Sequence, residues 1–367
     1  MAILGNIDWS CVIELLKSGR LCGWWRSPNG GPYLLEFERK FAEYIGAKHA
    51  IAVSNGSASI YVALRACGIG QGDLVAVSPY THIGSVAPIL LAGAVPMFND
   101  VDKQGNINPK ELQKSLRKNP LKGIVAAHQL GMPCELDEFP SGVPIIEDCS
   151  QALGAEYKGQ KVGRVGVVGC FSLGGDMTKM ISTGEGGMIV TNDDRIAEKC
   201  RNIRNHGEKN GANYLCFNFR MSDLQAAVGL LQMDSLQFQV DWQIRNAKFI
   251  ASVLPDCLEL PQPPSYMKSA CYIIGCRFLD EKAGMSRDSF LEALKMKGLD
   301  NGIPRRTIGG GYSGLLYELP FYQRFARKCP TAEKLRDESI WIDWHRYPIT
   351  SEEISDHLIS GLKEIIR

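Results

Sequence analysis

Short apolar runs alternate with helical stretches through the first half of the chain. Between the runs, apolar residues recur at helical spacing at 61–67, 85–92, 109–116 and 195–204. Short apolar runs separated by helices are typical of a mostly parallel sheet that is covered on both faces. The pattern therefore predicts an α/β domain, with strands at 50–53, 74–77, 95–98, 123–127, 143–146 and 188–191.

Prolines mark the end of this first pattern. A long helix is predicted to begin at an N-cap at Ser222 and to run towards Leu254, where Pro255 ends it. More prolines follow at 261, 263 and 264. Beyond them the pattern predicts a strand at 272–278, a helix at 287–297 and a closing helix at 351–366 behind a capping pattern at 350–353. We expect a large domain at 1–240 and a smaller α/β domain at 241–367.

The composition is that of an ordinary globular protein, and it argues against several classes of partner. Hydrophobic residues make up 45% of the chain, and 41 basic and 40 acidic residues leave a net charge of +1. A nearly neutral chain has no strong field to attract nucleic acid or anionic lipid. No apolar run approaches the roughly 20 residues of a membrane span. The first residues lack a basic segment followed by a long apolar stretch, so we expect a cytoplasmic protein.

The twelve cysteines do not form a metal or disulfide pattern. They are scattered along the chain without a Cys-x-x-Cys pair, and the closest two are Cys271 and Cys276. Zinc and redox sites need close pairs because the sulfurs must converge on one ion or one bond. We expect reduced thiols in the core and no metal site.

Polar residues follow several predicted strands, where an α/β sheet binds its ligands. Residues 54–59 (Ser-Asn-Gly-Ser-Ala-Ser) form a small-residue turn that opens a helix, so their N–H groups and hydroxyls suit a phosphate. The same residues also fit an ordinary helix cap. Tyr80, Thr81 and His82 follow the next run and offer a flat ring that could stack on an aromatic ligand.

A carboxylate and a lysine complete this set. Asp148 follows the run at 143–146, and a buried carboxylate needs a cationic partner, such as a protonated pyridine nitrogen. Lys179 lies among small and hydroxyl residues in the stretch 171–191. Most lysines are solvated surface charges, but one in a suitable environment acts as a nucleophile towards carbonyls. Phosphate cradle, ring, carboxylate and lysine are the parts needed to hold pyridoxal 5'-phosphate (PLP).

Two glycine-rich segments resemble nucleotide-binding motifs but lack their spacing. Residues 68–72 do not have the G-x-G-x-x-G pattern and precede a strand rather than a helix. Residues 169–179 contain no Gly-Lys-Ser or Gly-Lys-Thr. A dinucleotide site and a nucleotide P-loop are both disfavoured.

The order and spacing of short motifs resemble those of a known family over nearly the whole chain. The motifs are Glu36-Phe37-Glu38, Ser54-Asn55-Gly56-Ser57-Ala58, Pro79-Tyr80-Thr81-His82, His128-Gln129-Leu130-Gly131, Glu147-Asp148-Cys149-Ser150-Gln151-Ala152, Lys179 with Gly184-Glu185-Gly186-Gly187, Arg204-Asn205-His206-Gly207, Asn218-Phe219-Arg220-Met221-Ser222 and Cys329-Pro330-Thr331-Ala332-Glu333. The chain resembles the PLP-dependent sugar aminotransferases of the DegT/StrS group. That resemblance implies the aspartate aminotransferase fold (PLP-transferase fold type I), with a mostly parallel sheet of seven-stranded type.

The resemblance also implies roles for individual residues. Lys179 would form a Schiff base with PLP and then carry the proton of transamination, and Asp148 would keep the pyridine nitrogen protonated. The resemblance implies that Ser57 and Ala58 bind the phosphate of the cofactor and that Ser172 adds a hydroxyl there. It places His82 on the face of the ring and Gln151 near the phenolic oxygen. Asn218 would reach the phosphate from the other subunit of a homodimer.

The chain departs from the family pattern in two segments. Five residues separate Leu173 from Lys179 where the family usually has three between the corresponding aromatic and its lysine. The glycine-rich segment 308–314 replaces the usual histidine-rich loop, and it either reaches an active site or is a flexible connection. Trp24 and Trp25 resemble the corresponding stretch of the aminobenzoate synthases of this family.

The sequence therefore predicts an aminotransferase. Glutamate or glutamine would convert PLP to its amine form (PMP), which would then aminate a keto sugar. In the leading hypothesis this sugar is a nucleotide-linked keto-deoxysugar. Two alternatives stay open: the same chemistry on a keto-cyclitol or related ring, and a sensor that binds PLP without turnover. A deoxysugar dehydratase is disfavoured because that branch of the family carries histidine where this chain has Lys179.

Overall fold

The structure follows the predicted alternation of strands and helices. The computed structural model describes residues 7–24, 27–175, 179–207, 216–297, 299, 308–312, 314–342 and 360–366. The strands are β1 (His49–Val53), β2 (Leu74–Val77), β3 (Val95–Phe98), β4 (Leu121–Ala127), β5 (Ile145–Asp148), β6 (Glu156–Tyr157), β7 (Gln160–Lys161), β8 (Val168–Ser172), β9 (Gly187–Thr191), β10 (Leu258–Glu259), β11 (Met267–Lys268), β12 (Ile274–Phe278), β13 (Ile308–Gly309) and β14 (Ser339–Ile342). The helices are α1 (Ser10–Ser18), α2 (Pro32–Ile45), α3 (Gly56–Ala66), α4 (Ile83–Leu91), α5 (Pro109–Leu116), α6 (Asp194–Arg204), α7 (Asp223–Met233), α8 (Leu236–Val253), α9 (Asp280–Ala283), α10 (Arg287–Met296) and α11 (Pro330–Glu338).

Seven strands form the central sheet in the order β1-β9-β8-β5-β4-β2-β3. Strand β9 runs antiparallel to both of its neighbours, and the other pairings are parallel. This confirms the predicted α/β class with a mostly parallel sheet. Strand β8 was not among the predicted strands, because Gly169, Cys170 and Ser172 give it too weak an apolar pattern.

Helices cover the two faces of the sheet, and the strand alternation assigns side chains to each face. Along β4, Ile124 and Ala126 belong to the core beneath α2, while Val125 lies in the opposite core beneath α3. A strand buried on both faces needs apolar residues at successive positions, which explains the continuous apolar runs. No helix within the described residues is both long enough and apolar enough to span a bilayer.

The long helix predicted from Ser222 to Leu254 is wrong, because the chain breaks it into α7 and α8. At the break the hydroxyl of Ser235 donates to the Gln232 carbonyl at 3.2 Å. A serine side chain that bonds to a nearby carbonyl competes with the helix ladder, and this local contact accompanies the break.

The predicted domain boundary at residue 240 lies inside α8. Leu236 and Val240 are buried in the core of the large sheet, whereas Ala247 and Ile250 are buried in a third core with the C-terminal strands. We propose that α8 links the two domains, with the division near residue 240. The C-terminal strands form an antiparallel sheet in the order β10-β12-β14-β13.

The C-terminal elements agree with the prediction over the described residues. The predicted strand at 272–278 is β12, and the predicted helix at 287–297 is α10. Of the predicted closing helix, residues 360–365 are helical, whereas residues 351–359 and the capping pattern at 350–353 lie outside the described residues. The short strands β6, β7 and β11 form a separate sheet in the order β11-β6-β7.

A buried ion pair ties α2 and α6 to β1. The guanidinium of Arg204 is fully buried and donates to Glu38 at 2.5 Å and to the carbonyl of Ala52 at 3.0 Å. It also lies 4.7 Å from the ring centroid of Trp24. Burial lowers the pKa of Arg204 from its ordinary value, and the neighbouring carboxylate opposes that effect. The charge of Glu38 therefore compensates a cation that has no access to water.

We expect Glu38→Gln to lower the free energy of unfolding by about 3–5 kcal/mol, because it leaves the buried Arg204 charge uncompensated. Denaturant unfolding followed by circular dichroism measures this change. Glu36→Gln is the matched control, because the Glu36–Arg39 pair is exposed on the same helix. Exposed pairs contribute little, so the control should unfold like the wild type. Equal unfolding midpoints for both variants would show that the buried pair has no special role.

Candidate active site

A cavity of about 750 Å³ opens at the edge of the sheet where the parallel strands end. Six of the predicted site residues line it: Ser57, His82, Asp148, Gln151, Ser172 and Lys179. Ala58 and Asn218 are not among its lining residues. Thr81, Ser85, His128, Gln129, Glu185 and Tyr272 also line the wall.

Helix α3 begins at one end of the cavity. Its N-cap is Asn55, whose side chain accepts a hydrogen bond from the N–H of Ala58 at 2.8 Å. The backbone N–H of Ala58, which was predicted to bind phosphate, is therefore used in the helix cap. The structure does not bring Ala58 to the cavity. Ser57 in the same turn is exposed on the wall. Ala58 therefore takes part in an ordinary helix cap, the alternative that the sequence also allowed, while Ser57 remains available to a ligand.

Gly56 allows β8 to approach the start of α3. A Cβ added at Gly56 would lie 2.7 Å from Cβ of Ser172, so a larger residue would push the two segments apart. This close packing places the Ser172 hydroxyl beside the first turn of α3. Two hydroxyls and a helix N-terminus are suited to bind a phosphate, because the unpaired N–H groups of a first turn carry partial positive charge.

Asp148 lies at the last position of β5 and is held on both oxygens. Oδ2 accepts a hydrogen bond from the hydroxyl of Ser85 at 2.6 Å, and Oδ1 accepts one from the N–H of Ser150 at 3.0 Å. The hydroxyl of Ser85 lies 3.0 Å from that of Thr81. The carboxylate is only 6% exposed, yet it faces the cavity. It can therefore pair with a cationic group of a ligand without losing its orientation.

His82 caps helix α4, and this fixes its position on the wall. Its Nδ1 accepts a hydrogen bond from the N–H of Gly84 at 3.0 Å. A Cβ added at Gly84 would lie 3.0 Å both from Nδ1 of His82 and from the hydroxyl of Ser57, so the imidazole lies next to the turn that begins α3. The accepting role of Nδ1 puts the proton of a neutral imidazole on Nε2.

Lys179 lies on the wall, and residues 176–178, directly before it, are outside the described residues. Its Nζ donates to the carbonyl of Ser150, two residues beyond Asp148. The same nitrogen lies 4.6 Å from the ring centroid of Tyr272. The structure thus brings the predicted nucleophile and the predicted carboxylate to one cavity.

Segment 308–314 contacts the cavity indirectly: Tyr312 is not a lining residue, but it bonds to two residues that are. Its hydroxyl accepts hydrogen bonds from Nε2 of Gln129 at 3.1 Å and from Nε2 of Gln151 at 3.4 Å. Burial raises the pKa of Tyr312 above its ordinary value, so its hydroxyl stays neutral. Of the two alternatives for this segment, Tyr312 supports contact with the site, and Ser313 lies outside the described residues.

Sequence reasoning missed Ser85, Tyr272 and Tyr312. Ser85 had a usable signal, because it lies in the first turn of a helix that opens at a strand end. Tyr272 lies far from the strand-end motifs, where no spacing rule indicated it. Tyr312 lies in segment 308–314, which the sequence analysis singled out without naming a residue.

The side chain of His128, which lines the cavity, clusters with those of Glu147 and Cys149, at distances that a metal ion could bridge. The carboxylate of Glu147, however, accepts hydrogen bonds from His128 and from the N–H groups of Gly163 and Gly166. Nδ1 of His128 accepts one from the N–H of Cys134. Burial raises the pKa of Cys149 well above its ordinary value, which keeps the thiol neutral. These side chains therefore already have partners within the protein, and the cluster holds the loop that contains Gly163 and Gly166 beside β5.

The donor set of the cavity fits PLP. Ser57, Ser172 and the start of α3 suit its phosphate, Asp148 suits a protonated pyridine nitrogen, and Lys179 supplies an amine for its aldehyde. The three parts of the molecule thus have chemically matched groups in one cavity.

The chain is similar to a family of aminotransferases and to several known proteins. The sequence model of the DegT/DnrJ/EryC1/StrS aminotransferase family matches residues 10–363. A GDP-perosamine synthase of Vibrio cholerae is 32% identical over 312 residues, which cover 81% of each chain. The aminotransferase from Psychrobacter cryohalolentis superimposes with a TM-score of 0.83 at 27% identity, over 97% of this chain and 96% of that one. S. venezuelae DesV, solved in complex with a ketimine intermediate, gives a TM-score of 0.83 at 26% identity over 96% and 94%.

Proposed function

The chain belongs to the DegT/DnrJ/EryC1/StrS aminotransferase family and is a PLP-dependent sugar aminotransferase, and on that premise we propose the details of its reaction. The amino group comes from glutamate or glutamine and passes to the ketone of a nucleotide-linked deoxysugar. Lys179 is the residue that bonds to PLP. The observation that carries this proposal is that Lys179 and the buried carboxylate of Asp148 face one cavity.

Each residue of the cavity has a task in this proposal. PLP, when bound, supplies a ring that withdraws electrons from the carbon that exchanges its proton. Asp148 holds the proton on the pyridine nitrogen, and its bonds to Ser85 and Ser150 keep it in place. Ser57 and Ser172 bind the phosphate, His82 covers the ring face, and Gln151 lies near the phenolic oxygen. Lys179 Nζ takes up the proton at one carbon and returns it at the next.

A nucleotide-linked sugar is supported by the GDP-perosamine synthases among the similar proteins. Besides the one from Vibrio cholerae, the protein of that name from Escherichia coli O157:H7 is 36% identical over 62% of this chain and 64% of its own length. These names describe those proteins, and we extend only the substrate class to this chain.

The first test is the absorbance of the purified protein with PLP, before and after addition of glutamate or glutamine. We expect a visible band of the lysine-linked cofactor that either donor bleaches. Subsequent addition of GDP- or dTDP-linked keto sugars should restore the band, and keto-cyclitols should not. A band that no amino acid changes would contradict turnover and favour a PLP-binding sensor.

We also propose a homodimer in the cytoplasm. Asn218 lies outside the cavity and is exposed next to Phe217, whose side chain is 74% exposed. In the dimer, Asn218 of one subunit would reach the phosphate site of the other. The twelve free cysteines fit a reducing compartment. Sedimentation as a monomer would contradict the first proposal, and recovery of the protein from outside the cytoplasm would contradict the second.

A further inference from the structure

A tyrosine outside the motifs of the chain faces the nitrogen of Lys179. The ring of Tyr272 is 7% exposed and forms part of the cavity wall. Its centroid lies 4.6 Å from Nζ of Lys179, which also donates to the carbonyl of Ser150. The negative face of an aromatic ring and a carbonyl oxygen both attract an ammonium group. The ring of Tyr272 and the carbonyl of Ser150 together bind a charged lysine side chain that has no bond to a cofactor.

The backbone around Tyr272 is held in a costly conformation. Cys271, directly before it, has φ 52°, and Leu130, whose carbonyl accepts the N–H of Tyr272 at 3.1 Å, has φ 55°. Residues other than glycine rarely adopt these angles. Such strain persists where the surrounding structure enforces it, and it concentrates at functional sites. Here the two strained residues lie on either side of one hydrogen bond that fixes Tyr272.

Close packing of the turn 129–131 adds a second constraint. A Cβ added at Gly131 would lie 3.0 Å from the nitrogen of Tyr272, and Gly131 has φ 89°, so both the space and the angle require glycine. The carbonyl of Gly131 accepts the N–H of Ala270 at 3.0 Å. Gln151, on the same cavity wall, accepts the N–H of Leu130 at 2.8 Å. The position of Tyr272 is therefore tied directly to the cofactor site.

We propose that Tyr272 is a positioning residue whose ring, with the carbonyl of Ser150, holds the Lys179 ammonium while this lysine is not bonded to PLP. The proposal rests on the proposed role of Lys179. To bond to PLP, the ammonium would first give up a proton to solvent; the amine nitrogen would then replace the aldehyde oxygen, which would leave as water, so the ammonium held by Tyr272 would no longer exist. The contact with Tyr272 thus stabilises the free lysine and opposes attachment, whereas a merely structural tyrosine would leave attachment unchanged when only the charge of its ring face is altered.

The test compares Tyr272→Phe with pentafluorophenylalanine at position 272 in the otherwise complete protein. The two rings have nearly the same shape, but fluorination removes the negative face that attracts a cation. Apoprotein is titrated with PLP, and the lysine-linked cofactor is followed by its absorbance. We expect the fluorinated protein to reach half-saturation at a PLP concentration about 3- to 30-fold lower, the range of a cation–π contact. Thermal unfolding of both apoproteins checks that the fold is retained.

Equal half-saturation of the two proteins, or weaker binding by the fluorinated one, would overturn the role of Tyr272. The wild type is titrated in parallel, and if it attaches PLP normally, the proposed role of Lys179 stands and only this inference fails. If the wild type forms no lysine-linked cofactor, both the proposed function and the inference are overturned. The readout is binding to the apoprotein, so it does not depend on finding the sugar substrate.

Discussion

Lys179→Ala is expected to lose the visible band of the lysine-linked cofactor and to lower turnover by about 10³-fold or more. The alanine removes both the nucleophile that attaches PLP and the base that moves the proton, and proton transfer alone accounts for about 10²- to 10⁴-fold. PLP should still enter the cavity, because Ser57, Ser172 and Asp148 remain in place. Absorbance spectra and single-turnover kinetics with glutamate or glutamine measure both losses.

Two controls separate the chemistry of Lys179 from its charge. Lys179→Arg keeps a cation at the cavity wall but has no amine to attach PLP, so it should fail in the same way. Lys161→Ala removes a lysine that lies over the ring of Tyr44, away from the cavity, and should behave like the wild type. A Lys179→Ala protein that retains the band and normal turnover would refute the proposed mechanism.

Asp148→Asn is expected to slow the first half-reaction by about 10²- to 10³-fold, the usual cost of removing one preorganised electrostatic partner. The amide has nearly the same shape as the carboxylate but has no negative charge to hold the proton on the pyridine nitrogen. The ring then withdraws electrons less strongly from the reacting carbon. Stopped-flow absorbance after mixing with the amino donor measures the rate.

Ser85→Ala is the matched control for Asp148. It removes the 2.6 Å hydrogen bond to Oδ2 but leaves the charge and the bond from Ser150. A hydrogen bond to a charged group contributes about 1.5–3 kcal/mol, which limits the loss to about 10- to 160-fold, and we expect a smaller loss than for Asp148→Asn because the charge remains. If Asp148→Asn is no slower than Ser85→Ala, the negative charge is not what the reaction requires.

Much of the site was predictable because the fold places strand ends together. Asp148 follows a predicted strand, so its place at the ligand-binding edge of the sheet was predictable. Ser172 ends the adjacent parallel strand β8, which the apolar pattern did not predict, and only the family resemblance indicated it. Gly56 then decides how closely α3 approaches Ser172. The family and the PLP dependence predicted from these motifs are confirmed. The roles of the single residues remain predictions.

The features of the fold and the site that the sequence did not predict depend on contacts that apolar periodicity and motif spacing do not reveal, several of them between distant segments. Tyr312 reaches Gln129 and Gln151 across more than 150 residues of chain, and no local pattern marks it. Ala58 fits a phosphate turn in sequence, but competition from the Asn55 side chain decides where its N–H goes. The break in the predicted long helix likewise involves one serine contact that the apolar periodicity does not reveal.

The identity of the lysine that carries PLP tests the account most directly. The protein is loaded with PLP, reduced with borohydride, digested and examined by mass spectrometry. The account predicts one phosphopyridoxyl group, on the peptide that contains Lys179, and its disappearance from the apoprotein and from Lys179→Ala. A label on a different lysine, or no label on a protein that shows the visible band, would contradict it.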